Sequence, residues 1–248
     1  GYYARYNSDS GPNELQTYST VSAYDNNISL NIAQLGYAYE GKNIRSNMTI
    51  HYGDIAKATW DAKFPFLQEA NVGVHLFPGW WLDIGLFTTH IGAESFLPKN
   101  NMLSSTSIIT YNEPFYQAGI RLAYEGSEKL DFELWALNGY NQFTDINNAK
   151  SVGILLGYNF SSDHSITYTN VIGDERPTFL TGLDLFRTYH NIAISNNFNN
   201  KIKTLIGIDY GTQTNSDLTD ISESATLFAF LATVRFVLTE QLSATVRY

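Results

Sequence analysis

The segment that decides the fold is residues 115–139, FYQAGIRLAYEGSEKLDFELWALNG, in which two alternating runs flank a tight polar turn. In the first run the even positions from Tyr116 to Tyr124 are apolar, whereas the odd positions include Gln117 and Arg121. The second run repeats the pattern, with Asp131 and Glu133 between apolar neighbours. Because successive side chains of a strand point to opposite faces, the segment predicts an antiparallel hairpin with one apolar and one polar face.

The same alternation recurs along nearly the whole chain and predicts thirteen strands. Their ranges are 1–6, 30–40, 43–54, 69–77, 80–89, 115–125, 130–139, 150–160, 164–173, 184–196, 201–211, 225–237 and 241–248. Most ranges cover about ten residues, the length that a tilted strand needs to cross a bilayer. Strands of soluble proteins are usually about half as long, so the pattern favours an all-β protein whose strands span a membrane.

The connections between these strands alternate strictly between short and long. The short ones are 40–43, 77–80, 125–129, 161–163, 197–200 and 238–240, and the long ones are 7–29, 55–68, 90–114, 140–149, 174–183 and 212–224. Short periplasmic turns and long external loops are typical of outer-membrane barrels. Aromatic residues precede the short turns, as the interfacial girdle of such a barrel requires: Tyr39, Phe77, Tyr124, Phe160, Phe198 and Phe236.

Composition is consistent with this prediction and excludes several other classes. Charged residues make up 16% of the 248 residues and aromatic residues 15%, whereas soluble domains carry about 25% charged residues. No run approaches the roughly 18 apolar residues of a transmembrane helix. A net charge of -9 without a basic stripe argues against nucleic-acid binding. The absence of cysteine and of closely spaced histidines predicts no cofactor and no metal site.

The polar phase of the strands is expected to line the lumen, because a charge on the lipid face costs roughly 2–4 kcal/mol near the bilayer midplane. The predicted pore-lining residues are Arg45, Glu69, Asn71, His75, Asp83, Gln117, Arg121, Asp131, Glu133, Lys203, Asp209, Arg235 and Arg247. Glycines 73, 85, 119, 153 and 207 share this phase, where they leave space or allow another segment to approach closely. The pattern predicts a wet lumen containing charges of both signs.

We interpret residues 1–248 as a single outer-membrane barrel domain that is incomplete at its C-terminus. Bacterial single-chain barrels have an even number of strands, and the thirteenth strand here follows a short turn and therefore runs outward. A chain whose C-terminus lies in the periplasm needs at least one further strand. The complete protein is thus expected to be an antiparallel up-and-down barrel of about 14–16 strands.

The sequence resembles the OmpL-like β-barrel porins, a family common in Bacteroidota. The residues that carry the resemblance are Gly53–Ile55, Trp60-Asp61, Leu67–Gly73, Trp81–Gly85, His90–Glu94, Ser104-Ser105, Glu113–Gly119, Gly173–Arg176 and Leu242–Tyr248. Members of that family usually continue into further strands beyond the Arg-Tyr that corresponds to Arg247-Tyr248. The resemblance implies an outer-membrane porin of a Gram-negative bacterium, with ion or solute transport as its expected role.

The loop 90–114 is the first candidate for a constriction inside the barrel, with Glu94, Asn100, Asn101 and Glu113 as its selectivity residues. In this hypothesis Glu94 and Glu113 face lumen arginines such as Arg121. An ordinary surface loop is the alternative, because long external loops are general to these barrels. The loop 55–68 could form the constriction instead.

Three functions follow, in decreasing order of support. The first is passive diffusion of small hydrophilic solutes through a water-filled barrel. The second is a structural barrel subunit of a multiprotein envelope complex with little conductance. The third, an outer-membrane enzyme built on Ser104, His90 and Glu94, lacks a Gly-x-Ser-x-Gly motif, so we predict no enzyme. Expected partners are the lipid bilayer and its lipopolysaccharide, small solutes, and further copies or other envelope proteins.

Overall fold

The computed structural model describes residues 1–180 and 182–248; Thr181, inside the predicted loop 174–183, lies outside the described residues. The chain is all-β, as predicted. Its strands are β1 (Tyr2–Arg5), β2 (Asn27–Leu30), β3 (Ala33–Glu40), β4 (Ile44–Tyr52), β5 (Leu67–Phe77), β6 (Trp80–Thr88), β7 (Tyr116–Tyr124), β8 (Leu130–Leu137), β9 (Ser151–Ser161), β10 (His164–Asp174), β11 (Phe186–Phe198), β12 (Ile202–Gln213), β13 (Ala225–Val237) and β14 (Ser243–Arg247).

The described helices are short: α1 (Asp54–Thr59), a 3-10 turn at Pro98–Asn100, and α2 (Ile108–Asn112). Within residues 1–180 and 182–248, no helix is both long and apolar enough to pass through a membrane.

In the described part of the chain, twelve strands form one sheet in the sequential order β3 to β14, with β3 and β14 at its two edges. Every neighbouring pair is antiparallel, for example β7 and β8, in which Arg121 lies opposite Trp135. This confirms the antiparallel up-and-down topology. Short connections, such as 78–79 and 162–163, alternate with long ones, such as 89–115 and 214–224. All the long connections therefore lie at one end of the sheet.

The prediction that residues 1–6 form a strand of this sheet is wrong. Tyr2–Arg5 pairs with Asn27–Leu30 in a separate two-stranded sheet, so the large sheet holds twelve of the thirteen predicted strands. Four residues are too few to cross a bilayer, which takes about nine. The hairpin is instead anchored by its neighbours, because the Gly1 amine donates to the Ile32 carbonyl (2.7 Å) and the Tyr3 hydroxyl donates to Asp54 (2.9 Å). A period-2 pattern identifies a strand but not its partner.

The large sheet has an exposed apolar face and a buried polar face. On β6, Ile84 is 54% exposed whereas its neighbour Asp83 is 1% exposed. On β13, Phe228 and Phe230 are exposed whereas Leu231 and Thr233 are buried. This is the reverse of a soluble sheet, and it is the arrangement that a strand with lipid outside and polar groups inside requires.

The residues that precede the short turns lie on the apolar face. Tyr39, Phe77, Phe160, Phe198 and Phe236 are all exposed. Tyr124 is partly covered by Trp80, whose ring centroid lies 5.1 Å away. Aromatic side chains thus ring the short-turn end of the sheet, where a barrel would meet the headgroup region.

Ile84→Lys tests whether the exposed apolar face of the sheet contacts lipid or water. Ile84 lies in the middle of β6, so a charge there should lower the free energy of unfolding in lipid vesicles by roughly 2–4 kcal/mol. Urea unfolding followed by tryptophan fluorescence measures this difference. Leu238→Lys, in the turn 238–242, is the control because Leu238 is also exposed but lies at the sheet end. Equal losses from both variants would contradict a lipid-facing band.

Candidate functional site

The connection between β6 and β7, residues 89–115 and hereafter the inner loop, folds against the polar face of the sheet. Ile91 enters a buried cluster on this face with Phe87, Trp135, Leu137, Val171 and Tyr189. These residues come from β6, β8, β10 and β11. The expected polar face is therefore apolar where the inner loop packs. Burial of these side chains gives the loop a fixed seat, each worth roughly 1.5–3 kcal/mol of transfer free energy.

Two arginines of the last strands hold the far side of the inner loop. Arg247 of β14 donates to the Ser105 carbonyl (2.6 Å) and the Thr106 carbonyl (2.9 Å), and pairs with Glu94 (3.2 Å). Arg235 of β13 donates to the Met102 carbonyl. Glu94 in turn accepts a hydrogen bond from the Ser107 amide (2.7 Å). The loop is therefore attached both to β6, β8, β10 and β11 and to β13 and β14.

Two glycines of the polar face make room for the inner loop. A Cβ atom at Gly207 would lie 3.0 Å from Cβ of Ala93, and one at Gly153 would lie 2.9 Å from Nε2 of His90. The prediction that glycines on this phase allow another segment to approach is confirmed at these two positions. At Gly73 the corresponding space is occupied by the side chain of Asp83, which belongs to the neighbouring strand β6.

His90 is a half-buried, neutral contact of the inner loop. Its Nε2 lies 2.9 Å from the Asn170 carbonyl oxygen, and its Nδ1 lies 2.7 Å from Oε1 of Gln117. Both partners are acceptors, and a neutral imidazole has a single N–H, so the neutral ring donates a hydrogen bond to one of the two. Burial is the main cause that lowers the pKa of His90 to about 4, and the nearby Arg121 charge lowers it further.

Glu113 closes the loop with a buried carboxyl group. Burial raises the pKa of Glu113 well above its usual value, and the neighbouring Asp209 and Glu94 raise it further. The Asp209 carboxylate accepts hydrogen bonds from the Tyr189 hydroxyl and the Asn191 amide. A protonated Glu113 beside a hydrogen-bonded Asp209 avoids two adjacent buried charges.

Below the loop, towards the short-turn end, a charge network runs along the polar face. The Asp83 carboxylate accepts two hydrogen bonds from Arg45, through Nε and Nη2, both at 2.7 Å. It accepts a third from Nε of Arg121 at 3.1 Å. The network extends from Arg121 to Glu133 (3.1 Å) and from Arg45 to Glu125 (2.6 Å). Asp83 is almost fully buried. Its charge is tolerated there because two guanidinium groups surround it.

The remaining predicted pore-lining residues also lie on this face but bind locally. Glu69 accepts from Thr49 (3.0 Å), and Asn71 donates to the Leu86 carbonyl (3.0 Å). His75 packs edge-on against Trp81, and the exposed Asp131 accepts from Asn159 (3.1 Å). Lys203 lies opposite Arg235 in the β12–β13 register.

The four predicted constriction residues have different fates in the structure. Glu94 and Glu113 are buried anchors, as described. Asn101 holds a turn of the loop through two hydrogen bonds to the Ser95 backbone (2.8 and 2.6 Å), and Asn100 is exposed. Glu94 does face a predicted lumen arginine, but this is Arg247 and not Arg121, which pairs with Asp83 and Glu133. The same expectation is wrong for Glu113, which lies beside Asp209. Sequence spacing does not specify which of several lumen arginines a loop carboxylate reaches.

The proposed Ser104, His90 and Glu94 set is not assembled. His90 contacts Gln117 and Asn170, whereas Glu94 contacts Arg247, Ser107 and Thr110. Ser104 is exposed. The alternative loop 55–68 contributes Trp60, which packs in an aromatic cluster with Phe115, Tyr116 and Phe143 and so contacts the C-terminal end of the inner loop.

A polar cavity of about 370 Å³ lies between the beginning of the inner loop and the polar face of the sheet. Its lining includes His90 from the loop and Asn47, Glu69, Asn71, Arg121 and Glu133 from the strands. The predicted pore-lining set therefore does converge, in part, on one polar space beside the loop. Sequence reasoning missed the aromatic members of the wall, notably Trp135 and Tyr189. Their position on the polar phase of their strands was the available signal.

Comparison with known proteins gives one result of wide coverage. A family model described as "Putative beta-barrel porin-2, OmpL-like" matches residues 1–248. No curated protein matches the chain.

Asp83→Asn tests the charge network. Removing the carboxylate leaves Arg45 and Arg121 facing each other in a mostly buried site, which should lower the free energy of unfolding by roughly 3 kcal/mol. Urea unfolding of the refolded barrel measures this loss. Asp131→Asn is the matched control, since Asp131 is exposed and bonds only to Asn159 among the described residues. A loss below that of the control would mean that the network is not a structural element.

His90 predicts a pH dependence of the inner loop. The pKa of His90 is about 4 in the folded protein and roughly 6.5 when unfolded. Hence the loop should be fully stable above pH 6.5 and lose up to ~3 kcal/mol as the pH falls from 6.5 towards 4. Limited proteolysis of the loop across this range measures the loss. In His90→Gln this part of the dependence should vanish; an unchanged profile would rule His90 out as its source.

Proposed function

The chain belongs to the OmpL-like β-barrel porin-2 family, and from this premise we propose that it is an outer-membrane channel for passive diffusion of small hydrophilic solutes. The observation that carries the proposal is the polar cavity of about 370 Å³ between the inner loop and the wall. A barrel whose inner face were a packed core would have no such space.

The division of the sheet into two faces supports a membrane location. Apolar side chains cover the outer face, and the aromatic residues lie at the short-turn end. We assign the short turns to the periplasm and the long loops to the cell exterior, as in other barrels of this type. The barrel would then contact lipopolysaccharide at its long-loop end.

The inner loop is the proposed constriction. It is held at Arg235 and Arg247 on one side and at Ile91 and His90 on the other. A loop attached in this way narrows the passage without needing to move. Selectivity would depend on the side chains that border the remaining space, among them Glu69, Arg121 and Glu133.

A second candidate function is a structural barrel subunit with little conductance. The observation in its favour is the network around Asp83, where Arg45, Arg121 and Glu133 neutralise one another along the wall. Mutually paired charges stabilise a wall but offer little to a passing ion. The two functions differ in one measurable quantity, the conductance of the folded barrel.

Single-channel recording of the full-length protein in a planar bilayer, with a salt gradient, tests the proposal. Stable ohmic openings are expected, and the sign of the reversal potential reports which lumen charges dominate. A correctly folded barrel that gives no openings across many insertions would favour the structural subunit.

Gly207→Leu tests whether the inner loop is the constriction. A side chain at Gly207 would collide with Ala93, so the loop should leave its seat and the single-channel conductance should rise. Ala136→Leu adds the same side chain to the outer face of β8, where Ala136 is exposed, and should leave the conductance unchanged. A displaced loop, seen by proteolysis, together with unaltered conductance would place the constriction elsewhere.

A further inference from the structure

A cavity distinct from the polar space beside His90 lies at the long-loop end of the sheet. It has a volume of about 380 Å³ and is lined by residues that include Asn112, Tyr140, Arg187, Gln213, Ser216 and Leu227. Arg187 of β11, Gln213 of β12 and Ala225 of β13 lie side by side in register. Asn112 and Tyr140 close the cavity from the loops. Small-molecule sites in proteins usually have volumes of about 300–1,000 Å³.

Arg187 is held in place but not neutralised. Its guanidinium carbon lies 4.3 Å from the ring centroid of Tyr140, and its Nε donates to Oε1 of Gln213 (2.6 Å). A guanidinium has five N–H donors. Across residues 1–180 and 182–248, neither Nη atom of Arg187 donates a hydrogen bond, and Arg187 forms no salt bridge. The outer fork of the guanidinium is thus positioned without a protein acceptor.

Two carboxylates that act on Tyr140 together with Arg187, those of Asp209 and Glu175, form hydrogen bonds to other groups. Asp209 accepts hydrogen bonds from Tyr189 and Asn191. Glu175 accepts from the Tyr140 amide (3.0 and 2.9 Å) and from the Ser151 hydroxyl (2.9 Å). These acids offset the charge of Arg187 at a distance but leave its Nη atoms for water or a solute.

The other lining groups indicate what that solute is. A planar guanidinium fork binds a carboxylate through two parallel hydrogen bonds. The Tyr140 ring and Leu227 offer apolar surface that suits the C–H face of a sugar ring. The Asn112 amide nitrogen donates to the Ile108 carbonyl (3.2 Å), which leaves its Oδ1 as an acceptor for a sugar hydroxyl. Ser216 Oγ donates to the Thr214 carbonyl (3.0 Å) and accepts from Gln213 (2.7 Å), and one lone pair remains to accept from a second sugar hydroxyl. We propose that this cavity is a binding subsite for a sugar acid of monosaccharide size, with the carboxylate on Arg187.

This inference deepens the proposed channel function by naming a solute class, and its transport aspect rests on that function. Binding itself does not, because it can be measured on the folded barrel in detergent. A subsite near the external mouth would raise the local concentration of the anionic solute in a protein whose net charge is -9.

Calorimetric titration of the full-length barrel with glucuronate tests the subsite, with glucose as the neutral comparison. Arg187→Gln should weaken glucuronate binding roughly 10-fold to 100-fold, since a charged hydrogen-bond pair is lost. Arg187→Lys keeps the positive charge but not the planar guanidinium fork. Its affinity for glucuronate should therefore lie between those of Arg187→Gln and the unmodified protein. Arg176→Gln is the matched control, because Arg176 already pairs with Asp174 (3.2 Å) and Asp184 (3.0 Å) at the same end.

The outcomes separate this proposal from the channel function. Glucuronate binding that depends on Arg187 supports the subsite, even if planar-bilayer recording shows no openings. In a conducting barrel, glucuronate should also cause current interruptions that are absent from Arg187→Gln. The subsite is overturned if glucuronate gives no binding heat, if glucose binds equally well, or if folded Arg187 variants bind as tightly as the unmodified protein.

Discussion

In this sheet the backbone of each interior strand is hydrogen-bonded to its two neighbouring strands, which leaves the side chains to divide between two environments. A strand in a bilayer has no water to satisfy unpaired backbone groups, so the complete ladder is a condition for crossing it. Once the ladder is formed, the period of two sends each successive side chain to the opposite side. The exposed Ile84 and the buried Asp83 are adjacent in sequence for this reason.

Residues buried on the polar face of the sheet avoid an uncompensated loss of hydration in two ways. Around Asp83, charges of opposite sign surround one another, so that no buried charge is left alone. Under the inner loop, the face becomes apolar instead and packs Ile91 against Trp135 and Val171. The polar face of the sheet therefore changes from a charge network around Asp83 to an apolar patch where the inner loop packs.

Both kinds of interaction, apolar packing and hydrogen bonding to charged groups, hold the inner loop. Its apolar side is held by packing, whereas its backbone carbonyls are held by Arg235 and Arg247. Neutral His90 and the buried carboxyl of Glu113 complete the contacts without adding a buried charge. The cavities beside it are the spaces that this packing leaves open.

The sequence by itself determined the all-β class, the up-and-down order of the strands from β3 to β14, the alternation of short and long connections between them, and the alternation of their two faces. All of these depend on local periodicity and on turn residues, which are properties of neighbouring positions in the chain. The tertiary structure decided that residues 1–6 pair with Asn27–Leu30, that Glu94 reaches Arg247 rather than Arg121, and that Arg187 lies against Tyr140 without a carboxylate partner. These pairings join residues far apart in sequence, and their geometry depends on the curvature of the sheet and the path of its loops. No repeat of two residues contains that information.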